Sequence, residues 1–377
     1  MQLDQFDIGV FLSGYWQKKP LLIRNPWDRW ANPLPPDELA GLACEEEVES
    51  RLVRASGGTW ALEHGPFAET RFDRLGGEPW TLLVQSVDLF VPAVAALIEP
   101  FRFVPNWRID DVMVSYASDG GGVGPHFDQY DVFLVQGLGR RRWRLGQRCD
   151  EAAALLPHED LRLLAQFEPS EEWVLEPGDI LYVPPGFAHE GTAVGGDCMT
   201  YSVGFRAPSR GDLGAGWSEH VFGRLKEDDR YSDPNLQRQR NPGEITAEAI
   251  ARLHGMATEK MLDRGEFARW FGRYASAPKY PELDWRPDVP VEAEEVRRHV
   301  GDGTPLCRNP GSRFSFVRHE GFVLLFVDGE CFECSGESAR FAEELCARDG
   351  LQIPGTDKAV GLVVQLLNRG SVSFSAD

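Results

Sequence analysis

Residues 109–206 contain five short segments rich in β-branched and aromatic residues, and no long helical pattern separates them. Glycine or proline turns bound the segments, which is typical of β-strands. The sequence GLG at Gly137–Gly139 suits a tight hairpin between the second and third segments. Repeated short strands without crossover helices favour a β-barrel or sandwich over a doubly wound sheet. The segments are Asp110–Ala117, Asp131–Gly137, Arg140–Gly146, Asp179–Pro185 and Cys198–Arg206.

The pattern turns helical after the β-rich region, from about Leu213 to Tyr274. Within it, Asn241–Pro242 has the form of a helix start, a capping residue followed by a first-turn proline. A proline-rich stretch at 277–292 is typical of a linker. The last ninety or so residues combine a helix at 335–349 with strands around 314–327, which predicts a small α+β unit.

Length and composition limit the class of protein. A chain of 377 residues is expected to fold as two or three domains. Its N-terminus is acidic where a signal peptide needs a basic region, and no apolar run is long enough for a membrane span, so we expect a cytoplasmic protein. Seven cysteines show no disulfide framework. The lone CxxC, Cys331 to Cys334, is a weak zinc or redox signal that favours two ordinary thiols.

The segment Gly122–Phe133, GVGPHFDQYDVF, places His126 and Asp128 on alternate residues behind a glycine run. Residues i and i+2 of a strand lie on the same face, so the two side chains project together. A turn at Pro184–Gly186 presents His189 as the third ligand. Two histidines and one carboxylate are typical of non-haem Fe(II) oxygenases, whereas structural zinc sites use four ligands. The sequence therefore predicts an iron site.

The segment GRRRWRLG predicts a buried arginine near this metal site. By alternation, Arg141 shares a strand face with Trp143 and Leu145, and that face is expected to be buried. A buried arginine is costly unless an anion meets it. A dicarboxylate cosubstrate would supply that anion, and a protein acid such as Asp131 is the alternative.

Four stretches together resemble the bacterial JmjC-type ribosomal oxygenases. They are YWQKKPLLIRNPW, GGGVGPHFDQYDVFLVQGLGRRRWRLG, EPGDILYVPPGFAHEG and YSVGFRAPS. The resemblance covers the first 210 residues and the domain plan. It implies a mainly β plus α protein: a JmjC/cupin double-stranded β-helix barrel at 1–210, a helical dimerisation domain at 211–276, and a linker with a winged-helix-like domain at 277–377. A homodimer follows from the same plan.

The resemblance also implies an activity and residue roles. Family members are Fe(II)- and 2-oxoglutarate-dependent dioxygenases, and the branch resembled here hydroxylates the β-carbon of an arginine in a basic large-subunit ribosomal protein, the sixteenth. His126, Asp128 and His189 match the iron ligands. Arg141 matches the residue that binds the far carboxylate of 2-oxoglutarate, and Ser115 a position near it. Asp119 and Ser209 match positions that contact the substrate guanidinium.

The net charge of −20 suits an enzyme whose substrate is a basic protein. From Val291 onward the chain has nine Lys and Arg against fourteen Asp and Glu, so we expect no direct DNA binding.

Three alternatives stay open from the sequence. A related hydroxylase would act on a histidine of another ribosomal protein. A cupin isomerase or metal hydrolase would use the same ligands without oxygen, but would leave Arg141 unexplained. A non-catalytic cupin/winged-helix regulator would bind nucleic acid, which the acidic C-terminal unit disfavours.

Overall fold

The structure is a computed structural model that describes residues 3–4, 6–57 and 59–375. It divides into two compact units, one up to Ala207 and one from Pro208. Both units alternate polar loops with buried apolar segments, which is the pattern of ordinary globular cores. No helix among the described residues has the length and apolar character that crossing a membrane requires.

The first unit is built mainly of strands. Its strands are β1 (Leu21–Ile23), β2 (Ser50–Ser56), β3 (Thr59–His64), β4 (Trp80–Val84), β5 (Ile109–Ala117), β6 (Asp131–Arg148), β7 (Glu171–Leu175), β8 (Ile180–Val183) and β9 (Phe187–Phe205). Its helices are α1 (Ile8–Gly14), α2 (Pro36–Leu42) and α3 (Pro92–Ala95), with 3₁₀ turns at Glu69–Arg74, Val87–Leu89, Glu99–Phe101 and Asn106–Arg108.

These strands pair as one antiparallel sheet in the order β1-β8-β6-β9-β5-β4-β2-β3, with β7 added beside β6, and the hydrogen-bonded path is not closed. The prediction of a β-rich fold rather than a doubly wound sheet is confirmed, and the pairing is antiparallel throughout the described strands. Apolar residues on both faces of β6 are buried: Phe133 and Val135 lie in the main core, and Val132 and Leu134 in a second cluster with Trp143. The sheet is therefore buried on both sides along the first part of β6.

The predicted hairpin at Gly137–Gly139 is wrong, because β6 continues through this sequence as one strand of 18 residues. The pairing with β9 shifts register on both sides of Leu138 instead of ending. Gly139 has a φ of +63°, and a Cβ there would lie 2.4 Å from the Asp197 carbonyl oxygen. The glycines therefore form a bulge that bends the strand without reversing it.

A buried carboxylate joins the N-terminal segment to the sheet. Asp131, at the start of β6, accepts hydrogen bonds from the Tyr182 hydroxyl at 2.6 Å, the Gln17 amide at 2.9 Å and the Arg108 guanidinium at 3.0 Å. Three protein donors therefore meet the Asp131 carboxylate. Burial of the Tyr182 phenol, followed by its hydrogen bond to Asp131, raises the pKa of that phenol.

The second unit combines helices with two small sheets. Its helices are α4 (Arg210–Phe222), α5 (Ala247–Thr258), α6 (Arg264–Ser276), α7 (Ala293–Asp302), α8 (Glu337–Ala347) and α9 (Asp357–Leu367), with a 3₁₀ turn at Lys260–Leu262. Its strands are β10 (Leu306–Arg308), β11 (Phe314–His319), β12 (Phe322–Val327), β13 (Glu330–Cys334) and β14 (Val372–Phe374). β10 pairs with β14, and β11, β12 and β13 form a meander.

The predicted helix start at Asn241–Pro242 is wrong. The Asn241 side chain accepts the N–H of Gly243 at 3.0 Å, which closes a local turn instead of capping a helix. The helix begins later, where the Thr246 hydroxyl accepts the N–H of Ala249 at 3.2 Å. The predicted helical run is consequently interrupted between α4 and α5.

Helix α6 packs against the β11–β13 meander. Gly272 in α6 lies so close to Phe326 that a Cβ would approach its ring to 2.4 Å. The three-part division at 210/211 and 276/277 remains a prediction.

Candidate metal centre

The glycine run at 120–124 lets the backbone that precedes His126 lie against its neighbours. A Cβ on Gly121 would lie 2.2 Å from the carbonyl oxygen of Trp80, and one on Gly122 would lie 2.4 Å from that of Gly191 in β9. Real Cβ atoms do not approach so closely, so only glycine fits. These glycines therefore serve close packing against β4 and β9 rather than flexibility.

Backbone hydrogen bonds hold His126 and His189 side by side. The N–H of His126 donates to the carbonyl of His189 at 3.0 Å, and the N–H of His189 donates back at 2.8 Å. The centroids of the two imidazole rings are 4.3 Å apart. The N–H of Gly186 donates to the Asp128 carbonyl at 2.7 Å. This bond attaches the turn before β9 to Asp128, the third predicted ligand.

The three predicted ligand side chains converge. His189 Nε2 lies 3.6 Å from Asp128 Oδ2, and one ligand atom from each of His126, Asp128 and His189 lies within 4.8 Å of the others. The prediction that the three side chains project to one place is confirmed. Among the described residues no other group of three histidine, cysteine or acidic side chains has this spacing.

The tautomers of both histidines suit metal binding. Nδ1 of His126 lies 2.9 Å from the Gly124 carbonyl oxygen, and Nδ1 of His189 lies 2.9 Å from that of Phe187. A carbonyl only accepts, so Nδ1 carries the proton and Nε2 keeps its lone pair. Burial lowers the pKa of His189, and the nearby His126 ring lowers it further, so the His189 imidazole is neutral at pH 7. Two imidazole nitrogens and one carboxylate fit a non-haem divalent iron.

The Tyr130 phenol is a neighbour of this centre that the sequence analysis missed. Its side chain is 43% exposed, its hydroxyl hydrogen-bonds with the Asp128 carboxylate, and partial desolvation together with that carboxylate raises the pKa of the phenol. The sequence spacing could have indicated this neighbour, because Tyr130 follows Asp128 by two residues, as Asp128 follows His126. A hydroxyl donor there orients the carboxylate.

Arg141 is buried without a protein acid. It is 4% exposed, and its Nε and Nη2 atoms have no hydrogen-bond partner among the described residues. Asp131, the alternative partner, is instead paired with Arg108. The predicted strand face is confirmed, because Trp143 and Leu145 are buried with Arg141. A buried guanidinium with free N–H groups favours an anionic ligand.

The other predicted site residues have local contacts. The Ser115 hydroxyl is buried on β5 and donates to the Thr200 carbonyl at 3.5 Å. Asp119 is exposed, and its Oδ1 accepts the N–H of Gly195 at 2.7 Å. Ser209 begins α4 in the second unit, where it forms a capping box with Asp212. None of the three belongs to the converging ligand group.

The CxxC cysteines are free thiols on β13. Burial raises the pKa of Cys331, and it raises that of Cys334 to about 11. Both thiols are therefore protonated at neutral pH, which is the ordinary form of a buried cysteine.

The chain matches two family models, a JmjC domain over residues 96–213 and a ROXA-like winged helix over residues 259–373. It is 43% identical to the Escherichia coli ribosomal protein uL16 3-hydroxylase over 80% of each chain. It is 38% identical to a probable ribosomal oxygenase of Haemophilus influenzae, over 85% of this chain and 81% of that one. The structure of the E. coli ribosomal oxygenase YcfD in complex with cobalt and 2-oxoglutarate superposes with a TM-score of 0.86 at 36% identity, covering 100% of this chain and 99% of that one.

We predict that Gly122→Ala weakens metal binding about tenfold or more, because the added Cβ would displace the loop before His126 from β9. Calorimetric titration with Mn(II) measures this directly. Gly196→Ala is the matched control, since a Cβ there meets no atom within 4 Å. Equal Mn(II) affinity in wild type and Gly122→Ala would show that the close approach to β9 does not position the ligands.

Proposed function

The chain belongs to the JmjC-type ribosomal oxygenases, and from that premise we propose that it hydroxylates the β-carbon of an arginine in the large-subunit ribosomal protein uL16. It is a 2-oxoglutarate-dependent dioxygenase that uses Fe(II) and O₂. The observation that carries the proposal is the convergence of His126, Asp128 and His189, together with a buried arginine on the paired strand β6 that has no acidic partner among the described residues. The identity to the uL16 3-hydroxylase supports the substrate.

We assign the metal to His126 Nε2, His189 Nε2 and one Asp128 oxygen, which would hold a divalent iron as a set of two histidines and one carboxylate. Bound iron supplies the oxidative chemistry that couples decarboxylation of 2-oxoglutarate to hydroxylation of a C–H bond. The Gly124 and Phe187 carbonyls hold the two imidazoles in the tautomer that leaves Nε2 unprotonated.

The remaining assignments concern the organic ligands. Arg141 binds the far carboxylate of 2-oxoglutarate through its free N–H groups, and Ser115 lies near the same cosubstrate. Asp119 orients the substrate guanidinium, and it keeps its Oδ2 oxygen for that purpose while Oδ1 holds Gly195. For Ser209, contact with the substrate stays a prediction from the family resemblance. The protein then only has to hold the substrate side chain in place, because the cofactor supplies the chemistry.

Charge supports a basic protein as substrate. The net charge of −20 attracts a basic ribosomal protein at long range and raises the association rate. We place the encounter in the cytoplasm, where ribosomal proteins are synthesised.

A homodimer is part of the proposal. Helix α5 buries none of its residues, and Ile250, Leu253 and Met256 on one side of it are 53%, 44% and 43% exposed. An isolated helix of this length is marginal in water, so its apolar face needs a partner. We propose a second copy of the chain as that partner, with residues 211–276 as the dimerisation segment between the catalytic region at 1–210 and the winged-helix-like region at 277–377.

The activity is tested with Fe(II), ascorbate, 2-oxoglutarate and purified uL16. We expect succinate and one added oxygen atom on uL16, and fragment ions that place the oxygen on arginine. Asp128→Ala abolishes both signals, because it removes the carboxylate ligand, whereas Asp73→Ala, an exposed acid, retains them.

Two outcomes would contradict this account. Oxygen on a histidine would identify a histidine hydroxylase. The absence of succinate from iron-loaded wild type would favour an isomerase, a hydrolase or a non-catalytic regulator.

The dimer is tested by light scattering after size-exclusion chromatography. Ile250→Asp and Leu253→Asp place charge on the exposed apolar side of α5, so we expect each to shift the wild-type dimer to monomer at micromolar concentration. Ala251→Asp, on the opposite side of the same exposed helix, is the control and stays dimeric. A wild-type monomer, or dimers in all variants, would contradict this surface.

A further inference from the structure

The orientation of the Trp143 indole is fixed by its strand neighbours. Trp143 lies in β6 between Gly191 of β9 and Trp173 of β7, and it is 4% exposed. A Cβ on Gly191 would lie between 2.7 and 2.9 Å from three atoms of the six-membered part of the indole. The indole therefore packs directly on the glycine backbone, which limits its rotation.

The Trp143 ring lies close to both Arg141 and the ligand histidine His189. Its centroid is 5.7 Å from the central guanidinium carbon of Arg141 and 5.9 Å from the centroid of the His189 ring. A ligand that joins the metal to the Arg141 guanidinium would therefore lie near this ring.

The indole N–H is buried without an acceptor. Trp143 Nε1 has no hydrogen-bond partner within the described part of the chain, and the same is true of Arg141 Nε and Nη2. A buried tryptophan N–H ordinarily finds an acceptor, because an unmet donor in the interior is costly. Two adjacent buried residues with unmet donors require an acceptor with several lone pairs, and a carboxylate provides them.

We propose that the Trp143 indole N–H is a second donor to the far carboxylate of the cosubstrate and acts beside Arg141. The inference rests on the proposed function and adds a cosubstrate-binding residue to it. The indole also covers the side of the pocket between the two ends of the cosubstrate. Trp143 thereby favours 2-oxo acids that carry a second carboxylate over those that lack one.

The test is calorimetric binding of 2-oxoglutarate to the Mn(II)-loaded protein without oxygen, so that no turnover is involved. We expect Trp143→Phe to weaken 2-oxoglutarate binding about tenfold, since it removes a hydrogen bond to a charged group. Mn(II) affinity stays at the wild-type value, because the metal ligands are unchanged. Trp173→Phe, which alters the cross-strand neighbour, is the control and binds 2-oxoglutarate normally.

Pyruvate identifies which end of the cosubstrate the indole meets, because it is a 2-oxo acid without the far carboxylate. Wild type and Trp143→Phe are expected to bind it equally. Trp143→His keeps a ring N–H and is expected to bind 2-oxoglutarate more tightly than Trp143→Phe. This comparison separates the donor from the bulk of the ring.

Three results would overturn the inference. The first is wild-type 2-oxoglutarate affinity in Trp143→Phe, and the second is no advantage of Trp143→His over Trp143→Phe. The third is an equal loss for pyruvate, which would place the indole at the metal end. Failure of the Mn(II)-loaded wild type to bind 2-oxoglutarate would instead refute the proposed function itself, and this inference with it.

Discussion

The reciprocal backbone hydrogen bonds between His126 and His189 are the constraint on which the site depends. They join a loop after β5 to the start of β9, two segments that are 63 positions apart in the sequence. The loop reaches β9 only because its glycines carry no Cβ at the points of closest approach. On the other side, Gly186 has a φ of +80° and donates to the Asp128 carbonyl, so the turn before β9 is attached to the same loop. Ligand geometry is thus determined by main-chain contacts before any metal binds.

Two buried charges show how structural and functional groups differ in this protein. Asp131 accepts hydrogen bonds from Tyr182, Gln17 and Arg108. These bonds give it a structural role, because they join other segments of the first unit to β6. Arg141 is also buried, but its Nε and Nη2 atoms have no hydrogen-bond acceptor in the part of the chain that the structure describes. A fold that leaves such donors unmet loses stability unless a ligand compensates. The contrast is a physical reason to place the cosubstrate at Arg141.

Local periodicity was sufficient for the parts of the site that depend on one strand. The alternation along β6 predicted that Arg141 is buried with Trp143, and the spacing of His126 and Asp128 predicted a shared face. The bulge at Gly139 could not be separated from a hairpin, because both use the same glycines and only the continued pairing with β9 decides between them. The tight contacts of Gly121 and Gly122 depend on which strands are neighbours, which no local pattern specifies. Asn241 and Gly243 close a turn that no helix directly follows, and the same hydrogen bond would form at a true helix start, so the local sequence could not separate the two.

A crystal structure with Mn(II) and 2-oxoglutarate, grown without oxygen, tests the central claim most directly. The account predicts Mn(II) bound by Nε2 of His126, Nε2 of His189 and a carboxylate oxygen of Asp128, with the far carboxylate of the cosubstrate on Arg141. A metal held by other residues, or a cosubstrate that leaves the Arg141 guanidinium unpaired, would contradict it.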